Sequence, residues 1–185
     1  HPQICMSNPK EPQHFSFYER YQTGAAMHNL NFEHAGAHSI FGESSQCYFS
    51  HPNAISRIKR DLKHPKVIIM LRNPIERLIS QYEWNYRRST EKNSLASAVK
   101  ARGDTVDYIF DKSINMYREI GGYLAFSRYS FWVPIWQHHL GPENTLIVSF
   151  EEYVAQPNII LEKCCNFLGV ATGHELSVTH KNPTS

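Results

Sequence analysis

Apolar residues fall into a few dense runs, and the longest unbroken one lies near the middle of the chain. Val67-Ile68-Ile69-Met70-Leu71 has no polar interruption, and its length and β-branched content suit a strand buried on both faces, as in a parallel sheet. Asn73, Pro74 and Glu76 follow. They read as an N-cap residue, a first-position proline and a third-position glutamate, so a capped helix is predicted from Pro74 through Arg88. A second run, Thr145 to Phe150, predicts another buried strand. A helix from Pro157 to Leu168 comes after it, with Ile160, Leu161, Cys164, Cys165 and Leu168 as its apolar stripe and Gly169 as its stop. Pro52 to Leu62 reads as a short helix with Ala54, Ile55, Ile58 and Leu62 inward and Arg57, Lys59 and Arg60 outward, broken by His64-Pro65. Ser94 to Lys100 predicts another, ending near Gly103. Val106 to Ile120 carries Val106, Ile109, Ile114, Met116 and Ile120 at helical spacing, and Tyr123 to Leu140 reads as a further helix with a kink or restart at Pro134. Phe15 to Phe32 is rich in aromatics, Ser89 to Asn93 is polar and expected to be mobile, and the tail Thr179 to Asn182 is polar. Short apolar strands separated by helices indicate an α/β fold with a parallel sheet.

The candidate chemistry begins where the central strand ends. Arg72 stands at its carboxyl end, where open α/β sheets bind ligands. The helix N-terminus offers N–H groups and the positive end of the helix dipole, which favour an anion. Arg72 adds a planar donor fork suited to phosphate, and Ser80, two turns into the helix, can add a hydroxyl. A second candidate is the loop Asn8-Pro9-Lys10-Glu11-Pro12-Gln13-His14-Phe15. Its prolines force an extended or turning backbone, and it brings Lys, Glu and His together as potential acid/base groups.

Composition narrows the partners. The 185 residues support one domain with a substantial core, residues 1–185, and 41% hydrophobic against 19% charged content reads as globular. A formal net charge of +2 admits an anionic cofactor but gives no support for nucleic acid or a highly sulfated polymer, which would favour a strongly basic face. Cys5, Cys47, Cys164 and Cys165 show no metal-ligand spacing, and Cys164 and Cys165 diverge on a helix, so free thiols and no metal are expected. Free thiols favour a cytoplasmic location, with the Golgi lumen as the alternative. No apolar run reaches the roughly 18 residues of a membrane span.

The string LRNPIERLISQY at 71–82 resembles the 3'-phosphate-binding motif of the sulfotransferases that use 3'-phosphoadenosine 5'-phosphosulfate (PAPS). In that family the strand-end arginine and the helix serine hold the 3'-phosphate, positions matched here by Arg72 and Ser80. The resemblance continues in order along the chain. His1-Pro2-Gln3-Ile4 matches a segment that follows the family's first helix, before which a strand and a phosphate-binding loop with a Lys and a Gly-Thr pair are expected. Lys10 to Phe15 resembles a "KEPHFF" stretch, with Gln13 as an insertion. Gly42 to Phe49 resembles "GEKSPxYL", with Ser44 in place of the Lys, and 121–140 and 144–170 resemble the last part of the core.

The resemblance implies a three-layer α/β/α sandwich of the P-loop nucleotide-kinase type. It implies transfer of a sulfuryl group from PAPS to an acceptor hydroxyl or amine, leaving adenosine 3',5'-bisphosphate. Glu11 is the implied base on the acceptor, and His14 is the rival. Glu43 either orients acceptor groups or caps a turn, and Arg87 and Arg88 either meet an acidic substrate or form a solvated turn. A small molecule, a glycan or a carrier-bound hydroxyl all fit as acceptor. A P-loop kinase and a non-catalytic nucleotide-binding scaffold of the same fold are the alternatives. Against the kinase, the Arg72–Ser80 pairing reads a 3'-phosphate, which ATP lacks.

Overall fold

A computed structural model describes residues 1–112 and 115–173; Ile114 and the polar stretch 179–182 lie outside the described residues. In chain order the elements are β1 (Ile4–Met6), α1 (Tyr18–Tyr21), α2 (Gly24–Asn29), β2 (Ile40–Gly42), α3 (Ala54–Asp61), β3 (Val67–Leu71), α4 (Pro74–Arg87), α5 (Leu95–Arg102), β4 (Val106–Asp111), β5 (Met116–Gly121), α6 (Tyr129–Leu140), β6 (Thr145–Ser149), α7 (Phe150–Ala155) and α8 (Pro157–Leu168). The two long apolar runs pair as parallel strands, β3 with β6, in register from Val67 opposite Thr145 to Leu71 opposite Ser149. β1 and β2 form a second parallel pair. Parallel strands joined through helices give the expected α/β architecture.

The core forms where β3 meets α3 and α6. Ile69, Ala54, Ile55, Ile58, Trp136 and Phe15 are buried together, with Val67, Leu71 and Ile147 against them. The Trp136 indole N–H donates to the Phe49 carbonyl at 3.0 Å, which satisfies the polar end of a ring that is otherwise buried. β3 departs from the sequence expectation here. It is buried on one face only, since Ile68 is 37% and Met70 48% exposed while Ile69 is buried. α3 and α6 both occupy the Ile69 face, and the opposite face is covered over β6, where Val148 is buried, but open over β3.

Four other expectations are corrected. Val106 to Ile120 is not a helix but an antiparallel hairpin, with β4 and β5 paired from Val106 opposite Gly121 to Asp111 opposite Met116. Val106, Tyr108, Ile109 and Phe110 are β-branched or aromatic, and that preference outweighs a loose helical spacing. α6 starts at Tyr129 and runs through Pro134; the residues before it form a 3₁₀ turn at Ala125–Ser127. Arg57 does not face solvent: its guanidinium donates to the carbonyls of Phe15 at 3.0 Å and Ser16 at 2.7 Å. The polar stretch after α4 is pinned, because Glu91 is buried and accepts the backbone N–H groups of Lys92 and Asn93, each at 2.9 Å, and the Tyr123 hydroxyl at 3.1 Å.

Candidate active site

The predicted cap of α4 is present, with a consequence for anion binding. Asn73 Oδ1 accepts from the N–H groups of Ile75 at 3.0 Å and Glu76 at 3.3 Å, as an N-cap should. The reciprocal half of the capping box is not made. The Asn73 N–H goes to Glu151 Oε1 at 2.7 Å, and Glu76 turns to Arg72, Oε2 to Nη2 at 3.0 Å. Pro74 has no N–H and the Arg77 N–H bonds the Asn73 carbonyl at 2.8 Å. The first-turn donors of α4 are therefore engaged within the described residues, contrary to the expectation of open N–H groups.

What remains for an anion is the Arg72 side chain. It lies at the end of β3 with its guanidinium carbon 5.3 Å from the centre of the Phe150 ring. Its Nε is buried and has no hydrogen-bond partner among the described residues. A buried donor on a cation without an acceptor is costly, and an anion placed against it removes that cost. Ser80 is half-buried further along α4; no direct bond joins it to Arg72.

The second region is the loop that carries Glu11 and His14. Residues 12–17 are buried throughout, and several elements hold their backbone. The Gln13 N–H donates to Ser45 Oγ at 3.0 Å and the Phe15 N–H to the Tyr48 hydroxyl at 3.2 Å. Arg57 of α3 takes the carbonyls of Phe15 and Ser16. Gln13, the residue inserted relative to the family pattern, faces the hairpin. Its Nε2 donates to the Tyr117 carbonyl at 2.9 Å, and its Oε1 accepts the Tyr117 N–H at 2.8 Å. A side-chain amide thus pairs with β5 as a neighbouring strand would. Glu11 and Gln13 both have φ of 56°, a left-handed conformation that L-residues adopt at a cost of about 1–3 kcal/mol each and that clusters at functional sites. Gln13→Ala leaves both Tyr117 groups without their partner. It is expected to destabilise the fold by about 1–3 kcal/mol, read as a lower urea midpoint at unchanged slope.

Glu11 and His14 diverge from this loop into different surroundings. The Glu11 side chain is 24% exposed and lies 3.8 Å from the Lys10 ammonium. Burial raises its pKa above the ordinary value, opposed by Lys10 and by the backbone N–H of Gln46, which bonds the carboxylate. Glu119 of β5 lies alongside, with Gln46 Nε2 donating to its Oε2 at 3.5 Å. Burial pushes the Glu119 carboxyl up to about 7; Arg77 opposes the shift and Glu11 adds to it.

His14 points the other way. Its ring stacks on His28 with centroids 4.5 Å apart and meets Phe15 at 4.9 Å and Tyr21 at 5.5 Å. Burial lowers its pKa, and His28 lowers it further. His28 Nε2 lies 3.2 Å from Glu43 Oε2, while Glu43 Oε1 is buried without a partner among the described residues. Glu43 is thus tied to a histidine and caps no turn.

Arg77 and Glu119 are the site residues that the sequence alone did not single out. Arg77 Nε donates to Ser127 Oγ at 2.8 Å, Nη1 to Gln81 Oε1 at 2.8 Å, and Nη2 to the Tyr123 carbonyl at 2.6 Å. It clamps α4 to the segment after β5, and so fixes the Arg72 end of the site relative to the Glu119 end. Its signal was its place five residues after Arg72 on the capped helix. Arg87 and Arg88 take surface roles, Arg87 paired with Glu83 at 3.9 Å and Arg88 stacked 3.8 Å from the Trp84 ring. The four cysteines are free.

Comparison with known proteins supports the fold. A solved structure, the sulfotransferase from Alicyclobacillus acidocaldarius, superposes with a TM-score of 0.81 over 99% of this chain and 78% of that one, at 23% identity. The sulfotransferase domain from the curacin biosynthetic pathway superposes with a TM-score of 0.52 over 83% of this chain and 45% of that one, at 18% identity. In sequence, the chain is 34% identical over 88 residues to the membrane-associated sulfotransferase kil1 of Dictyostelium discoideum; the match covers 46% of this chain and spans 18% of that protein's length. Among the described residues, no helix here is long and apolar enough to cross a membrane. The family profile described as sulfotransferase domain matches residues 47–182, so the chain belongs to the sulfotransferase domain family.

Proposed function

We propose that this domain transfers a sulfuryl group from PAPS to an acceptor hydroxyl or amine, with Arg72 and Ser80 holding the nucleotide's 3'-phosphate and Glu11 serving as the base. The observation that carries the reading is the buried, unpartnered Nε of Arg72 at the carboxyl end of β3. A phosphate oxygen supplies the acceptor this donor lacks. The existing ion pair to Glu76 is no obstacle. Glu76 is 61% exposed in that pair, and exposed pairs contribute only about 0–1 kcal/mol, well below what a dianionic phosphate gains from a guanidinium fork.

At the other end, the Glu11 carboxylate takes the acceptor's proton as the acceptor oxygen or nitrogen bonds to sulfur. The bond from sulfur to the 5'-phosphate oxygen breaks, and its electron pair leaves on adenosine 3',5'-bisphosphate. Such an in-line displacement is helped chiefly by positioning and charge stabilisation. Glu11 fits the base better than His14, because it is partly open to solvent while the His14 ring is packed among Phe15, Tyr21 and His28. A small alcohol, a glycan or a carrier-bound hydroxyl suits the acceptor position.

Calorimetry on the full-length protein tests the nucleotide assignment. Arg72→Ala is expected to weaken adenosine 3',5'-bisphosphate by about 2–4 kcal/mol, the scale of a truncated buried charge pair, and to leave 5'-AMP unaffected. Equal losses for the two nucleotides would place Arg72 away from the 3'-phosphate.

A further inference from the structure

We infer that Gln13 is a positioning residue for Glu11: its side-chain amide, hydrogen-bonded to both main-chain groups of Tyr117, holds the loop in the left-handed turn that brings the Glu11 carboxylate to the Gln46 N–H. The link to catalysis rests on the reading of Glu11 as the base. The turn is not what the local sequence prefers. Pro12 follows Glu11, and a residue before proline favours extended backbone, yet Glu11 and Gln13 both have φ of 56°. Such residues persist only where the surrounding structure over-determines them.

Gln13 is what does so. It is 3% exposed. Its Nε2 donates to the Tyr117 carbonyl at 2.9 Å, its Oε1 accepts the Tyr117 N–H at 2.8 Å, and its own N–H donates to Ser45 Oγ at 3.0 Å. Beyond it the loop is anchored again, through the Phe15 N–H to Tyr48 and the Phe15 and Ser16 carbonyls to Arg57. On the other side Lys10 is exposed, so Gln13 is the anchor nearest to Glu11. Pro12 joins the two with a fixed φ, which carries the placement of Gln13 to Glu11 with few free rotations. Ser45 and Gln46 are consecutive, so one short segment receives Gln13 on a hydroxyl and Glu11 on a backbone N–H. A terminal amide offers a donor and an acceptor together. Methionine has the same length and offers neither.

Proton–nitrogen NMR of the full-length protein reads the placement without turnover. The wild-type Gln46 amide signal is expected to shift as Glu11 ionises, because that N–H bonds the carboxylate, and to lose that shift in Glu11→Gln. In Gln13→Met the same shift is expected to be lost. A shift of wild-type size in folded Gln13→Met overturns the proposal, and so does a wild type without one. Should Gln13→Met not fold, Ser45→Ala serves instead: it removes the acceptor of the Gln13 N–H and is expected to weaken the shift, and an unchanged shift counts against the proposal. Turnover supplies the link to chemistry. With PAPS as donor and water as acceptor, release of adenosine 3',5'-bisphosphate is expected to fall about 10²-fold in Gln13→Met, the scale for a displacement of about 1 Å. Added to Glu11→Gln, Gln13→Met is expected to cause no further fall, because the two act as a unit. A residue that only supports the fold would lower both backgrounds alike, and that result overturns the proposal. The reading of Glu11 as the base fails by a different result: a lost Gln46 shift with unchanged turnover leaves Gln13 holding Glu11 and removes Glu11 from the reaction.

Discussion

Glu11→Gln is expected to slow sulfuryl transfer by about 10²–10⁴-fold, the usual contribution of general acid–base catalysis, with binding of adenosine 3',5'-bisphosphate unchanged. The amide keeps the size and one acceptor oxygen of the carboxylate but cannot take a proton. The pH dependence has a definite sign. Burial, partly opposed by Lys10, raises the Glu11 pKa above 4.5, and the competent form is the ionised one. The acid limb of the wild-type rate therefore lies above the ordinary carboxylate range, with activity lost as the pH falls through it. His14→Ala is the control. If that variant loses turnover on the same scale while Glu11→Gln keeps it, the base is the histidine. Rate measurements on both, with PAPS as donor, decide between them.

The other large effect is on stability. Arg77→Ala is expected to cost about 3–5 kcal/mol, the scale for removing one partner of a buried charged network. Three acceptors lose an Arg77 donor at once, Ser127 Oγ, Gln81 Oε1 and the Tyr123 carbonyl, the last keeping only the Ser127 hydroxyl at 3.3 Å as a side-chain donor among the described residues. Glu119 loses the one cation that opposes its protonation. Arg77→Lys is expected to recover little, because an ammonium on a flexible stem cannot reach three acceptors in the plane of a guanidinium. Urea unfolding followed by circular dichroism measures both. A loss below about 1 kcal/mol, the range of an exposed ion pair, would show that the clamp contributes nothing beyond the surface.

The parts of this fold that could be read in advance are those whose local chemistry agrees with their tertiary role. Val67 to Leu71 and Thr145 to Phe150 are apolar without a break, and Asn73-Pro74 starts a helix in almost any setting, so β3, β6 and α4 were readable, as was α8 with Gly169 in a left-handed conformation at φ 76°. The hairpin was missed because Val106, Ile109, Met116 and Ile120 can be fitted to a helix. Only the β-branched and aromatic content argued otherwise. That miss concealed Glu119, since its approach to Glu11 exists only if β5 is a strand. Arg72, Ser80, Glu11 and His14 are candidates put forward by a family pattern, whereas the contacts of Arg77 and Gln13 depend on backbone groups far away in sequence, which side-chain patterns do not encode.

The Gln13 amide has a further consequence, for self-association. Among the described residues β5 is paired with β4 along one edge only, and an open strand edge is a template onto which another chain can add. Tyr117 lies near the start of β5, and both its N–H and its C=O are taken by one side chain. A second molecule meeting this edge would have to displace Gln13 from a position where it is buried before it could form its first pair of ladder bonds. The insertion that lengthens the loop therefore also occupies the start of a sheet edge.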